Sequence, residues 1–314
     1  MSKNTVLAVM PFTKEQQEQM KETYPQLNFI FTDYKSVTEE EIKDAEVIIG
    51  NVPAAQLKNA DKLQWIHLNS AGYDAYVGEG ILPEKVILTN STGAYDVAVG
   101  EHVLAMTMEV SKKLHFYRDS QLKCEWSDYG EVLPLHDRRV LIVRLGGIGG
   151  YYGKLMKALG NNIVGIRRNI KAKPDFVDEI YTFDMLDEQI SLADIVVLAL
   201  PASPQTNGLM NEERFKKMKK SAMFFNIGRG SLVDMEALYQ ALEQKQILGA
   251  GIDVMTPEPL PAEHPLWKLP NIVITPHISG QFHLPETLTR IQKLAMDNLE
   301  AFAGNASYRN VVKR

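Results

Sequence analysis

Residues 140–168 read VLIVRLGGIGGYYGKLMKALGNNIVGIRR. A run of Val, Leu and Ile (Val140–Val143) enters a glycine-rich turn, then a helical stretch, then a second apolar run, Ile163–Ile166. Strand, turn, helix, strand is the order that aims backbone N–H groups at an anion, and glycines in the turn let a dinucleotide pyrophosphate approach them. Gly146 and Gly149 stand at the second and third glycine positions of the G-x-G-x-x-G pattern, with Gly147 and Ile148 between them. Arg144 takes the first position. Where such a turn needs a left-handed residue, arginine costs about 1–2 kcal/mol relative to glycine. Its guanidinium has two opposite prospects, to crowd the nucleotide or to reach phosphate as a bidentate donor.

The second apolar run ends in Arg167 and Arg168, where a carboxylate usually accepts hydrogen bonds from the ribose hydroxyls. A carboxylate would repel a 2′-phosphate, and two guanidiniums attract it. The expected cofactor is therefore NADP(H), with NAD(H) as the secondary choice. The plainer reading makes both arginines solvated surface residues.

Outward from this stretch, short apolar runs alternate with amphipathic ones along the whole chain. Thr5–Met10, Phe29–Thr32, Val47–Gly50, Trp65–Leu68 and Ile87–Thr89 form one set of expected strands. Val140–Val143, Ile163–Ile166, Ile195–Leu200, Met223–Ile227, Gly249–Val254 and Ile272–Thr275 form another. Strands rich in Val, Ile and Leu and separated by helices predict parallel sheets covered on both faces. The expected fold is α/β with two doubly wound parallel-sheet domains: a flavodoxin-like substrate domain, 1–96 plus 286–314, and a Rossmann dinucleotide-binding domain, 97–285. Val97–Tyr117 reads as one long connecting helix, and Leu284–Gly304 as a tail helix crossing back. A cleft between two such domains is the natural ligand site.

Composition narrows the function classes. The chain has 314 residues, 45% hydrophobic and 23% charged, as in a folded globular protein. A formal net charge of −5 gives no basic field for nucleic acid or an anionic membrane. The one cysteine, Cys124, cannot make an internal disulfide, the N-terminus lacks a signal-peptide layout, and no apolar run nears the ~20 residues that span a bilayer. A cytoplasmic protein is expected. No His/Cys spacing suggests a metal site.

Three later segments place a polar residue just beyond an apolar strand: FFNIGRGSLVD (224–234), GAGIDVMTPEPL (249–260) and NIVITPHISG (271–280). With LNSAGYD (68–74), NSTGAYDVAVGEH (90–102) and the 199–230 stretch, in that order over nearly the whole chain, the sequence resembles the D-isomer-specific 2-hydroxyacid dehydrogenase family, in its glyoxylate/hydroxypyruvate reductase-like form. The resemblance implies a catalytic set of Arg229, Glu258 and His277. The residue types suit the chemistry. Hydride transfer to a ketone leaves an alkoxide, so a proton donor must sit beside it, and imidazolium is the donor suited to neutral pH. Glu258 would orient the ring and favour its charged form, and Arg229 would clamp a 2-oxo-carboxylate. The duller readings make Glu258 a loop stiffener between prolines and Arg229 a partner of Asp234.

By the same resemblance Ser70, Ala71, Gly72 and Tyr73 bind the substrate carboxylate through main-chain N–H groups, with Tyr73 either shaping the pocket or packing in the core. Asp253 falls near the nicotinamide carboxamide, and Pro201, Thr206, Ile227 and Gly228 line the phosphates and nicotinamide ribose. The implied protein is an NADPH-preferring reductase of small 2-oxo acids that yields D-2-hydroxy acids and pairs as a homodimer. The rivals are a non-catalytic nucleotide sensor of the same fold, and a member whose cofactor site is impaired by Arg144. His102 and His264 read as structural.

Overall fold

The computed structural model describes residues 3–170, 172–304 and 306–313. It divides into two compact units, one reaching to Tyr95 and resuming at Leu284, the other spanning Asp96–His283.

The first unit begins with strands β1 (Asn4–Ala8), β2 (Leu27–Phe31), β3 (Val47–Ile49), β4 (Trp65–Leu68) and β5 (Ile87–Asn90), joined in part by helices α1 (Lys14–Thr23) and α2 (Glu39–Asp44). The sheet order is β2-β1-β3-β4-β5, and every pairing is parallel. Both helices start at capping boxes, Thr13 with Gln16 and Thr38 with Glu41. Each box satisfies two N–H groups that would otherwise face the helix end unbonded. Strands β3 and β4 are buried on both faces, as helix-covered parallel strands must be.

The second unit opens with α3 (Asp96–Lys112) and α4 (Leu114–Leu122). There follow β6 (Arg139–Val143), α5 (Gly147–Ala158), β7 (Asn162–Ile166), β8 (Glu179–Tyr181), α6 (Leu186–Leu192) and β9 (Ile195–Leu198). The unit closes with α7 (Glu212–Lys217), β10 (Met223–Asn226), α8 (Met235–Glu243), β11 (Gly249–Ile252) and β12 (Ile272–Ile274). Its seven strands run β12-β11-β10-β9-β6-β7-β8, again all parallel. The strand order reverses between β6 and β9, and open sheets of this kind bind ligands at such a reversal, beyond the carboxyl ends of the strands. Finally α9 (Pro285–Phe302) rejoins the first unit, where Asn298 is fully buried.

Two sequence expectations need correction. The long helix over 97–117 is two helices, because Lys113 adopts a left-handed backbone with φ 59°. Neither Gly nor Pro marks the break. Lys112 and Lys113 donate instead to the carbonyls of Leu133 and Tyr129, so tertiary contacts at the helix end, invisible to periodicity, accompany the turn. Strand β8 was not anticipated: it is three residues long, half-buried and at a sheet edge. It is tied down by the bidentate Arg139–Glu179 pair at 2.5 and 2.9 Å rather than by an apolar run.

Candidate active site

Every sequence-predicted residue of the second unit lies just past the carboxyl end of a strand. Gly146–Gly149 follow β6, Arg167 and Arg168 follow β7, and Pro201 and Thr206 follow β9. Ile227, Gly228 and Arg229 follow β10, Asp253 and Glu258 follow β11, and His277 follows β12. Since all seven strands are parallel, these residues share one edge of one sheet.

In the turn after β6, Gly146 is the N-cap of α5 and has no side chain to bond the helix start. Among the described residues the N–H groups of Gly147, Ile148 and Gly149 find no protein acceptor, which leaves them available to a phosphate, with the helix dipole adding to the attraction. A β-carbon on Gly149 would come within 2.8 Å of both the Arg144 carbonyl oxygen and Ile142 Cγ2, so α5 packs against β6 only because that residue is glycine. One on Gly147 would collide with the Asp96 carboxylate. The residues present therefore fit a dinucleotide pyrophosphate. Arg144 does adopt the left-handed conformation, at φ 69°.

The arginine pair after β7 divides its work. Arg167 is half-buried and donates from Nε to the Leu145 carbonyl at 2.9 Å and from Nη1 to the Ala172 carbonyl at 3.3 Å. Arg168 is exposed, with no side-chain partner among the described residues. Past β9, Thr206 Oγ1 donates to the carbonyl of Pro201 and closes a small turn.

His277 sits half-exposed, its Nδ1 2.8 Å from Glu258 Oε2. With the carboxylate accepting, Nδ1 carries hydrogen and Nε2 faces outward without a partner among the described residues. The backbone here is also left-handed, φ 53°, and the His277 N–H donates to the Asp253 carbonyl at 2.8 Å. Glu258 is fixed from its other oxygen by the Met255 N–H at 3.0 Å. Arg229 has extended backbone; Asn226 Nδ2 holds its carbonyl at 2.9 Å, and its Nη1 donates to the Gly228 carbonyl. Asp234 caps α8, accepting from the N–H groups of Glu236 and Ala237.

Asp253 follows β11 at the same end of the sheet. It is buried, and its carboxylate accepts from Thr275 Oγ1, the Ile278 and Ser279 N–H groups and Ser279 Oγ at 2.5–3.1 Å. Its evident work is to hold the segment that carries His277. His102 belongs to the same cluster, its Nε2 3.0 Å from Thr275 Oγ1, and His264 caps a short 3₁₀ turn.

In the first unit, the loop after β4 is built carbonyl-inward. Tyr95 Oη, the Ser91 N–H, Asn90 Nδ2 and Ser70 Oγ donate to the carbonyls of Asn69, Ser70, Ala71 and Gly72 respectively, and Asn51 Nδ2 donates to Ser70 Oγ. Among the described residues no acceptor meets the N–H groups of Ser70, Ala71, Gly72 or Tyr73. Four consecutive N–H donors of this loop are thus open to an acceptor. The Tyr73 side chain packs on the core of the first unit. Sequence reading missed Asn51, Asn90, Tyr95 and Asn226, which bond to backbone. Such residues carry no motif of their own, and only the fold shows which carbonyl each one meets.

The two sheet orders, the pyrophosphate turn and the Arg–Glu–His set at one sheet edge define a nicotinamide-dependent dehydrogenase. Residues 104–279 match the model of the D-isomer specific 2-hydroxyacid dehydrogenase, NAD binding domain. The chain is 32% identical to glyoxylate/hydroxypyruvate reductase B of Klebsiella pneumoniae, over 85% of this chain and 84% of that one. It is 29% identical to a glyoxylate reductase of Korarchaeum cryptofilum, over 85% and 82%. A crystal structure of a D-isomer specific 2-hydroxyacid dehydrogenase family protein from Aeromonas salmonicida superposes with a TM-score of 0.85 at 27% identity, covering 99% of each chain. The chain belongs to the D-isomer specific 2-hydroxyacid dehydrogenase family, enzymes that act on small 2-hydroxy and 2-oxo acids with a nicotinamide cofactor.

Proposed function

We propose that this enzyme reduces small 2-oxo acids such as glyoxylate or hydroxypyruvate to D-2-hydroxy acids, using NADPH in preference to NADH. The observation that carries the reading is the His277–Glu258 pair: one ring nitrogen fixed by a carboxylate, the other facing outward at the carboxyl edge of the sheet. NADPH, when bound, supplies the hydride. Negative charge then develops on the carbonyl oxygen, and His277 Nε2 donates its proton there. Glu258 stabilises the charged ring before transfer and keeps it oriented. Arg229 neutralises the substrate carboxylate and the developing alkoxide. In the first unit, the open N–H groups of residues 70–73 are donors suited to a carboxylate. Asp253 serves by fixing the His277 segment. The substrate domain is then 1–96 plus 286–314 and the cofactor domain 97–285.

The NADPH preference rests chiefly on Arg168, which is exposed and uncommitted, with Arg167 in support. Initial rates with each cofactor against glyoxylate, hydroxypyruvate, pyruvate and phenylpyruvate test the reading. NADPH should give the higher kcat/KM with the smaller acids. Arg168→Gln should weaken NADPH about tenfold and leave NADH nearly unchanged, as expected for one charge-assisted phosphate contact. Equal losses with both cofactors would reject the 2′-phosphate contact.

The enzyme further pairs as a homodimer in this reading. Support comes from the segment around α4, where Trp126 is fully exposed and Leu122 and Leu114 are more than half exposed. Exposed apolar side chains within one short segment are material for an interaction surface.

A further inference from the structure

We propose that Arg144 is a phosphate-binding residue of the cofactor site, kept in a left-handed backbone position because its guanidinium contacts the bound dinucleotide. This inference rests on the nucleotide reading above and explains the one departure from the glycine pattern.

Four observations carry it. First, the Arg144 backbone is locked in its strained geometry from both sides. Its N–H donates to the Ile166 carbonyl at 2.9 Å, and its carbonyl accepts from the Gly146 N–H at 2.8 Å. The side chain therefore leaves the turn from a fixed origin. Second, the guanidinium lies across the turn: Nη1 is 3.3 Å from where a β-carbon on Gly146 would stand. It is exposed, and no side-chain partner meets it among the described residues. Long cations in such positions are usually spread into solvent; this one is laid over the residue whose missing side chain opens the way to the helix start.

Third, the Asp96 carboxylate packs against Gly147 at the N-terminus of α5. A carboxylate there draws on the same partial positive charge that would bind a phosphate, and it opposes a second anion. No side chain fits at position 147, so no cation can be offered from that point. Arg144 is the only charged residue from 140 to 150, so its guanidinium is the one positive charge this stretch offers to an anion. Fourth, Arg167 is committed to the carbonyls of Leu145 and Ala172. The guanidinium available to act with Arg168 is then that of Arg144, since its N–H is bonded to the last residue of β7.

The ligand chemistry is a phosphate oxygen, which the cofactor presents in its pyrophosphate and, in NADPH, in its 2′-phosphate. Direct titration of NADPH and NADH into the parent chain, Arg144→Gln and Arg144→Gly, followed by nicotinamide fluorescence, separates these sources. Arg144→Gln removes the charge and keeps a non-glycine residue in the turn, and it should weaken binding at least tenfold. A loss shared by both cofactors assigns the contact to the pyrophosphate, and a loss confined to NADPH assigns it to the 2′-phosphate. Arg144→Gly should unfold a few degrees higher, because the left-handed strain is relieved, and still bind more weakly than the parent. If both variants bind as tightly as the parent or more tightly, the guanidinium merely crowds the site and the inference is overturned alone. A parent chain that binds neither nucleotide overturns the cofactor reading and this inference together.

Discussion

His67 and His277 are the same residue in opposite circumstances. His67 is fully buried at the centre of the first unit, and both of its nitrogens are engaged. Nδ1 lies 2.9 Å from Thr89 Oγ1 and 3.3 Å from Asn298 Nδ2, and Nε2 lies 3.2 Å from Ser91 Oγ. Ser91 Oγ already donates to the Leu68 carbonyl, so Nε2 must be the donor to Ser91. Nδ1 is then the acceptor, which requires a neutral ring. Burial pushes its pKa down to about 4, away from any use as an acid near neutral pH. His277 has one nitrogen held and the other open. What separates the two histidines is the uncommitted atom, and the loop at 70–73 and the start of α5 repeat the lesson with backbone N–H groups.

The contrast can be broken most severely at its exposed end. His277→Ala should lower kcat by about 10²–10⁴-fold, the range for loss of a general acid, with NADPH binding by fluorescence titration within a few-fold of wild type. Wild-type turnover in that variant would remove His277 from the mechanism. At the buried end the effect is on stability. His67 has a folded pKa of about 4 against the ordinary 6.5, so the unfolded chain takes up the proton first. The stabilisation is complete above pH 6.5, is lost as the pH falls towards 4, and amounts to about 3 kcal/mol. Denaturant unfolding of wild type and His67→Gln from pH 7 to pH 4 should show this slope in the wild type and not in the variant. Parallel pH curves would remove His67 as its source. The mildest perturbation is Glu258→Gln, which keeps the shape and removes the charge. It should lower kcat by about 10–100-fold, because the ring loses the carboxylate that orients it. An unchanged kcat would limit Glu258 to holding its loop.

Much of the fold is legible in the sequence. Parallel strands covered on both faces leave continuous runs of Val, Ile and Leu, so eleven of the twelve strands among the described residues are marked in the sequence, in order. The segments that carry His277, Glu258 and Arg229 stand out because each follows such a run. What escaped notice has a common cause. The break at Lys113, the edge strand at Glu179–Tyr181 and the saturation of Asp253 depend on partners distant in the chain. Arg167 and Arg168 looked equivalent as neighbours, yet the fold gives one a backbone carbonyl to hold and leaves the other to solvent. For Arg144 the sequence raised the question of a left-handed turn and the backbone answered it.

The placement of α9 bears on how the polypeptide is made. The unit from Asp96 to His283 is one continuous stretch of chain, whereas the other unit draws on both ends of the sequence. During synthesis the inner stretch leaves the ribosome whole and can fold as soon as it emerges. The outer unit must wait. Until residue 298 has been translated, His67 lacks one of its hydrogen-bond partners and the sheet lacks the helix that returns to it. The loop at 70–73 therefore belongs to the part of the molecule completed last, and a chain arrested before α9 would carry one finished unit and one unfinished one.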